Sequence, residues 1–159
     1  MIYVNRFSKT LSPRLRVGYL AASPELVACL LDLKLLTHVV TSELAERIIH
    51  HVMTQGQYRK YLSQLRTRLS ATRARVIKEL EELGFVAFAD IGYGYFVWMR
   101  HPHVSNTTEL TKSAFTRDML LAPGGMFSPG GKSSPWLRFN VAHTGKPAIN
   151  ALRALLARH

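Results

Sequence analysis

Lys9 and Arg16 stand seven residues apart, on either side of a turn, in the run Phe7-Ser8-Lys9-Thr10-Leu11-Ser12-Pro13-Arg14-Leu15-Arg16-Val17-Gly18-Tyr19. A lysine amine attacks a carbonyl only when neutral, so a lysine that forms a Schiff base needs burial or cationic neighbours to lower its pKa. Lys9 leaves an apolar strand and has Arg6, Arg14 and Arg16 close in sequence, which offers both influences. A phosphate dianion suits the planar fork of arginine, with hydroxyl and backbone donors beside it. Arg16 is a candidate for that role, and Ser8, Thr10 and Ser12 supply hydroxyls. Arg14 competes, and spacing alone does not choose between them. Outside its context, a lysine in a turn is a solvated charge and Arg16 merely flanks a strand.

Arg138 is the third candidate. It lies inside Trp136-Leu137-Arg138-Phe139-Asn140-Val141-Ala142, a charge between apolar neighbours. On an alternating strand such a residue points to solvent or is aimed at a buried anion. A carboxylate held bidentately is the anion that arginine geometry fits.

The elements that must position these residues follow from periodicity and punctuation. Ile2–Val4 reads as the tail of a buried strand, and Arg16–Ala22 as the next, apolar throughout and so covered on both faces. Ser23-Pro24-Glu25 starts a helix, with Leu26, Leu30 and Leu33 at helical spacing. A second helix runs from Thr41-Ser42 to about Met53, and Gly56 interrupts it. From Tyr58 to Leu83 a narrow stripe of Leu62, Leu65, Leu69, Val76, Leu80 and Leu83 predicts one long helix, of the kind that bridges two lobes, ended by Gly84. Strands follow at Phe85–Ala89 and Gly94–Met99 around an Asp90-Ile91-Gly92 turn. Asn106 with Glu109 forms a capping box for a helix to about Phe115. Met119–Leu121 reads as a short strand, Ser128–Pro135 as a loop, Trp136–Ala142 as a strand and Lys146–Arg158 as an amphipathic helix. Alternating strands and helices after a long helix predict a small α/β lobe.

The 159 residues are 47% hydrophobic, enough for a core, and no stretch approaches the ~20 apolar residues of a membrane span. Met1–Arg6 lacks the order of a signal peptide. Cys29 is the single cysteine, so there is no disulfide framework, and a cytoplasmic location is expected. With Leu30 and Leu31 as neighbours it reads as a small buried residue rather than a nucleophile. With 21 Lys+Arg against 10 Asp+Glu, the net charge is +11. The densest basic group, Arg59, Lys60, Arg66, Arg68, Arg73, Arg75 and Lys78, lies on the long helix with few aromatics. It reads as a solvated face, or one facing an acidic partner surface, ahead of a nucleic-acid contact.

Taken together, these motifs resemble the C-terminal part of fold-type I pyridoxal-phosphate enzymes, above all class I/II aminotransferases and the aminotransferase-like domain of MocR-type regulators of the GntR family. The family pattern reads roughly S-F-S-K-T-L-x-P-G-x-R-x-G-Y, and FSKTLSPRLRVGY matches most of it. SPELVACLLDLK, the G-x-Y-x-x-x-L-x-x-x-R-x-x-L run at Gly56–Leu69, GYFVWM, APGGMF and LRFNVA follow in order. The resemblance implies an α/β chain with three parts: the end of a large cofactor-binding domain (1–40), a helical segment with the long interdomain helix (41–84), and a small α/β domain (85–159).

It also implies pyridoxal 5′-phosphate as cofactor, with Lys9 as the Schiff-base lysine and proton shuttle. Arg16 would contact the phosphate, beside Ser8 and Arg6, and Arg138 would take the substrate carboxylate. No metal site is implied. The implied reaction moves an amino group between an amino acid and a 2-oxo acid, in a homodimer. The regulator alternative keeps the cofactor and binds DNA only through a domain outside this chain. Arg6 stands where the family commonly has serine or threonine, and Arg14 where it has glycine, which alters what the turn asks of its backbone. The family's aspartate for the pyridine nitrogen, its ring-stacking aromatic and its phosphate loop precede the lysine. The expectation is therefore that this chain alone has no complete site and no turnover.

Overall fold

The computed structural model describes residues 1–38, 40–89 and 92–157. They fall into two compact units, Met1–Gln64 and Leu65–His159, divided within one continuous helix.

In the first unit, β1 (Tyr3–Arg6) and β2 (Gly18–Ala21) pair antiparallel in the register Tyr3↔Ala21 to Arg6↔Gly18. A Cβ at Gly18 would meet the Asn5 carbonyl oxygen at 2.8 Å, which explains the glycine in this strand. Three helices follow: α1 (Pro24–His38), α2 (Glu43–Thr54) and the start of α3 (Gln57–Glu81). Ser42 caps α2, its side chain accepting from Ala45 N–H at 3.4 Å. Gly56, at φ +71°, makes the turn into α3 that only glycine adopts freely. The core here is small: Phe7, Val17, Ala45 and Ile49, with Leu11, Leu15 and Tyr58 against it.

The apolar strands expected to be buried are not. Every residue of β1 and β2 is exposed, and α1 has no buried residue. Leu35 and Leu36 of α1 and Val4 of β1 are among the exposed large apolar side chains. Cys29, expected inside, is also exposed. Apolar sequence records a preference for cover, and no described element of this chain supplies it. The second strand is shorter than expected as well, because Arg16 leaves the extended region at φ +54°.

The second unit contains the rest of α3, then β3 (Val86–Ala87), β4 (Phe96–Arg100), α4 (Thr107–Phe115), β5 (Ala122–Pro123), a 3₁₀ turn at Gly124–Phe127, β6 (Trp136–Asn140) and α5 (Lys146–Leu156). The sheet order is β3-β4-β6-β5, antiparallel throughout. Alternation divides its two faces. Val97, Met99, Leu137 and Phe139 join the core with Val76 and Leu80 of α3, Leu110 and Ala114 of α4, and Ile149, Leu152 and Leu155 of α5. Each of these side chains larger than alanine contributes roughly 1.5–3 kcal/mol by leaving water. Phe96, Trp98, Trp136 and Arg138 occupy the alternate positions, facing away from that core.

Element ends follow local chemistry. Gly84 (φ +88°) closes α3, with Phe85 N–H donating to Leu80 O at 3.0 Å and Gly84 N–H to Glu81 O at 2.9 Å, the paired bonds of a Schellman motif. Asn106 caps α4 through Thr108 N–H at 3.0 Å, while Glu109 pairs with Lys112. The strand expected at Met119–Leu121 starts three residues later, at Ala122–Pro123, because Met119 N–H still bonds back to Ala114 O and Asp118 turns at φ +56°. Asp90 and Ile91 of the expected turn, and Arg158 of the expected helix end, lie outside the described residues.

Candidate functional site

The loop between β1 and β2 carries Ser8, Lys9 and Arg16, and Arg6 ends the strand before it. Phe7 N–H donates to Val17 O at 3.1 Å and extends the hairpin ladder by one rung. Ser8 and Arg16 therefore leave the ladder together, at the mouth of the loop, and Arg6 precedes them opposite Gly18. Lys9 follows in a tight turn, where Thr10 N–H and Leu11 N–H both donate to Phe7 O at 3.2 and 2.8 Å. Phe7 and Val17 anchor this turn in the core. Tyr58 of α3 secures it further: its hydroxyl donates to Thr10 Oγ1 at 2.9 Å, and its ring meets Phe7 edge-on at 6.0 Å. Sequence reasoning gave Tyr58 no such role, although its place in the Gly56–Leu69 pattern was visible.

Burial does not act on Lys9 as expected. Lys9 is exposed, as are Arg6, Arg14 and Arg16, whereas Ser8 is half-buried. The loop's apolar anchors are residues 7, 11, 15 and 17, and between them Lys9, Pro13, Arg14 and Arg16 are exposed. Arg14, in place of the pattern's glycine, needs no unusual backbone: its N–H donates to Ser12 Oγ at 3.3 Å. The left-handed residue is Arg16 itself, at φ +54°. That conformation costs a non-glycine residue about 1–2 kcal/mol, and such strain gathers at functional positions.

Arg138 belongs to the second unit. On β6 it stands between Trp98 of β4 and Ala122 of β5. Its guanidinium carbon lies 4.2 Å from the centre of the Phe96 ring and 4.0 Å from that of Phe127, so two aromatic rings hold it. Phe127 meets Trp98 edge-on at 5.2 Å, which steadies that wall. The Arg138 Nε is buried and has no hydrogen-bond partner among the described residues. A buried donor without an acceptor is costly, and a guanidinium held by rings keeps its hydrogen-bonding capacity for an incoming anion. Arg138 also lines a recess of about 230 Å³ with Asp118, Asn140 and His143. Phe96 and Phe127 sit within GYFVWM and APGGMF, yet nothing in those strings marked them as the walls of an arginine.

The chemistry these residues offer is narrow. One loop carries a primary amine, three hydroxyls and two guanidiniums. One strand carries a preoriented guanidinium with an unsatisfied donor. Among the described residues no cluster of His, Cys, Asp or Glu has the makings of a metal site. No described helix is long and apolar enough to cross a membrane.

The family described as aminotransferase class I and II matches residues 1–155. The chain belongs to that family. It is 30% identical over 146 residues to the uncharacterized HTH-type transcriptional regulator YdfD of Bacillus subtilis, covering 90% of this chain and 30% of the regulator. It is 29% identical over 172 residues to the 2-aminoadipate transaminase of Thermus thermophilus, covering 99% of this chain and 42% of the enzyme. The crystal structure of LysN, an α-aminoadipate aminotransferase from Thermus thermophilus complexed with N-(5'-phosphopyridoxyl)-L-leucine, superposes with a TM-score of 0.85 at 27% identity, over 99% of this chain and 43% of that one. The aminotransferase-like chain thus has the fold-type I architecture, whose family cofactor is pyridoxal 5′-phosphate. It spans between 30% and 43% of the length of these relatives.

Proposed function

We propose that this chain is the C-terminal part of a pyridoxal-phosphate-dependent aminotransferase, which moves an amino group between an amino acid and a 2-oxo acid. The observation that carries this reading is Arg138, clamped between two rings with a buried donor unsatisfied. The residues fit the cofactor and its substrate by donor type. Lys9 would hold the cofactor through its primary amine and, when that amine is free, would serve as the base that moves a proton. Arg16, with the Ser8 hydroxyl and the Arg6 cation, neutralises the phosphate. Arg6 brings a full charge where a hydroxyl is usual, so phosphate affinity here depends more steeply on salt. Arg138 would receive the substrate α-carboxylate through its fork. The bound cofactor supplies the electron sink for that carbon. The functional protein is a homodimer on this reading.

The experiment compares the product of the complete reading frame with its Lys9→Ala and Arg138→Gln variants in a coupled transamination assay. Lys9→Ala loses turnover altogether. Arg138→Gln keeps the cofactor and raises KM for amino acids and 2-oxo acids alike. The 159-residue chain alone shows no turnover, and Lys9-dependent product from it refutes that expectation.

A second reading has its own support in the regulator match, which covers 90% of this chain. There the same domain holds the cofactor as an effector sensor, and a helix-turn-helix domain binds DNA. The nucleotide sequence upstream of the Met1 codon decides: an encoded helix-turn-helix favours the regulator, and a large catalytic domain alone favours the enzyme.

A further inference from the structure

Arg73 was expected on a solvated helix face. It is instead 4% exposed, packed within the second unit on α3. Its spacing says as much in retrospect: Leu69, Arg73, Val76 and Leu80 form a single stripe. Arg73 Nη1 donates to Phe96 O at 2.9 Å, and its Nε is buried without a partner among the described residues.

The carbonyl it holds has a particular place in the sheet. Trp98 O accepts from Phe88 N–H at 2.9 Å on the β3 side of β4. Two residues earlier, Phe96 O points the same way, past the last described rung of that ladder. Arg73 donates to the Phe96 carbonyl from α3. The chain reaches Phe96 through Gly92 and Gly94, both at positive φ, so the approach to the strand is conformationally permissive. The Phe96 ring is one of the two walls around the Arg138 guanidinium.

A buried guanidinium carries a large desolvation penalty. One carbonyl bond is a small return for it. We propose that Arg73 is a positioning residue for Arg138: it pins the Phe96 backbone, which holds the ring against the guanidinium and keeps that guanidinium oriented for a carboxylate. Arg73 touches no substrate and acts through Phe96 alone. The proposal rests on Arg138 as the carboxylate receiver.

The test uses the whole chain, labelled with ¹⁵N, and follows the Arg138 Nε–Hε resonance, assigned by its loss in Arg138→Gln. Between two rings this proton is displaced by ring currents from the position of exposed arginines. Pyruvate is the carboxylate probe, and pyruvamide the neutral control. In Arg73→Met the resonance moves toward the exposed position, and the pyruvate dissociation constant rises at least about fivefold, the size of one weakened cation–π contact. Arg73→Lys, which keeps a donor for the Phe96 carbonyl, recovers at least half of both changes. A purely structural role would lower stability and leave the resonance and the affinity of the folded fraction where they were; that result overturns the proposal. If the methionine variant does not fold, Arg73→Gln replaces it under the same criteria. A wild-type resonance that ignores pyruvate refutes the carboxylate reading itself, and the resonance position in the Arg73 variants then decides the geometric link alone.

Discussion

Replacing Arg16 by glycine separates backbone strain from charge. Arg16 is held at φ +54°, just before the Phe7–Val17 rung that closes the loop around Lys9. A left-handed non-glycine residue costs about 1–2 kcal/mol, and glycine returns roughly 0.5–1 kcal/mol of this through the freedom it gains in the unfolded chain. Arg16→Gly is thus expected to stabilise the first unit by about 0.5–1 kcal/mol. Arg16→Ala removes the same cation and keeps the strain, so it serves as the reference. Urea unfolding of the 159-residue chain, followed for the first unit, should rank glycine above alanine by that margin. In the full-length protein both variants should lose pyridoxal-phosphate affinity equally, because both lack the guanidinium proposed to meet the phosphate. Glycine no more stable than alanine refutes the strain argument. Unchanged cofactor affinity in both refutes the role of Arg16.

Other expectations are simpler. Leu80 is fully buried in the second unit, so Leu80→Ala should cost about 2–5 kcal/mol by chemical denaturation. Tyr58→Phe removes the bond to Thr10 and should cost about 0.5–1.5 kcal/mol, with faster amide exchange at Thr10 and Leu11. Burial holds the His101 imidazole below its ordinary pKa, aided by its neighbour His103, despite a backbone hydrogen bond at Leu83 that favours the charged form. Its folded pKa is depressed, so the unfolded chain takes up the proton first. Stability is full above the ordinary histidine pKa of 6.5 and falls as pH drops below it. The loss between about pH 7.5 and 5.5 should shrink in His101→Gln, as read by urea unfolding at the two pH values.

Much of the second unit was legible because its signals are local. Gly84, Asn106 and the Trp136 strand each announce themselves through cap chemistry or alternation. The first unit misled for a physical reason: the apolar runs of β1, β2 and α1 predict burial, and burial depends on what else is present to cover them. The candidate loop was legible as a pattern of Lys9, Ser8 and Arg16. Its exposure and the strain at Arg16 were not, since both arise from how Phe7, Leu11, Leu15 and Val17 turn inward. Arg73 was misread because charge outweighed its position on the apolar stripe. The walls of Arg138 were invisible, since Phe96 and Phe127 come from separate elements joined only by the sheet.

The most direct test of the account is borohydride reduction of the full-length protein with bound pyridoxal phosphate, followed by mass mapping of the labelled peptide. The account predicts one phosphopyridoxyl group, on Lys9, and none in Lys9→Ala. A label on any other lysine, or an undiminished label in Lys9→Ala, contradicts it.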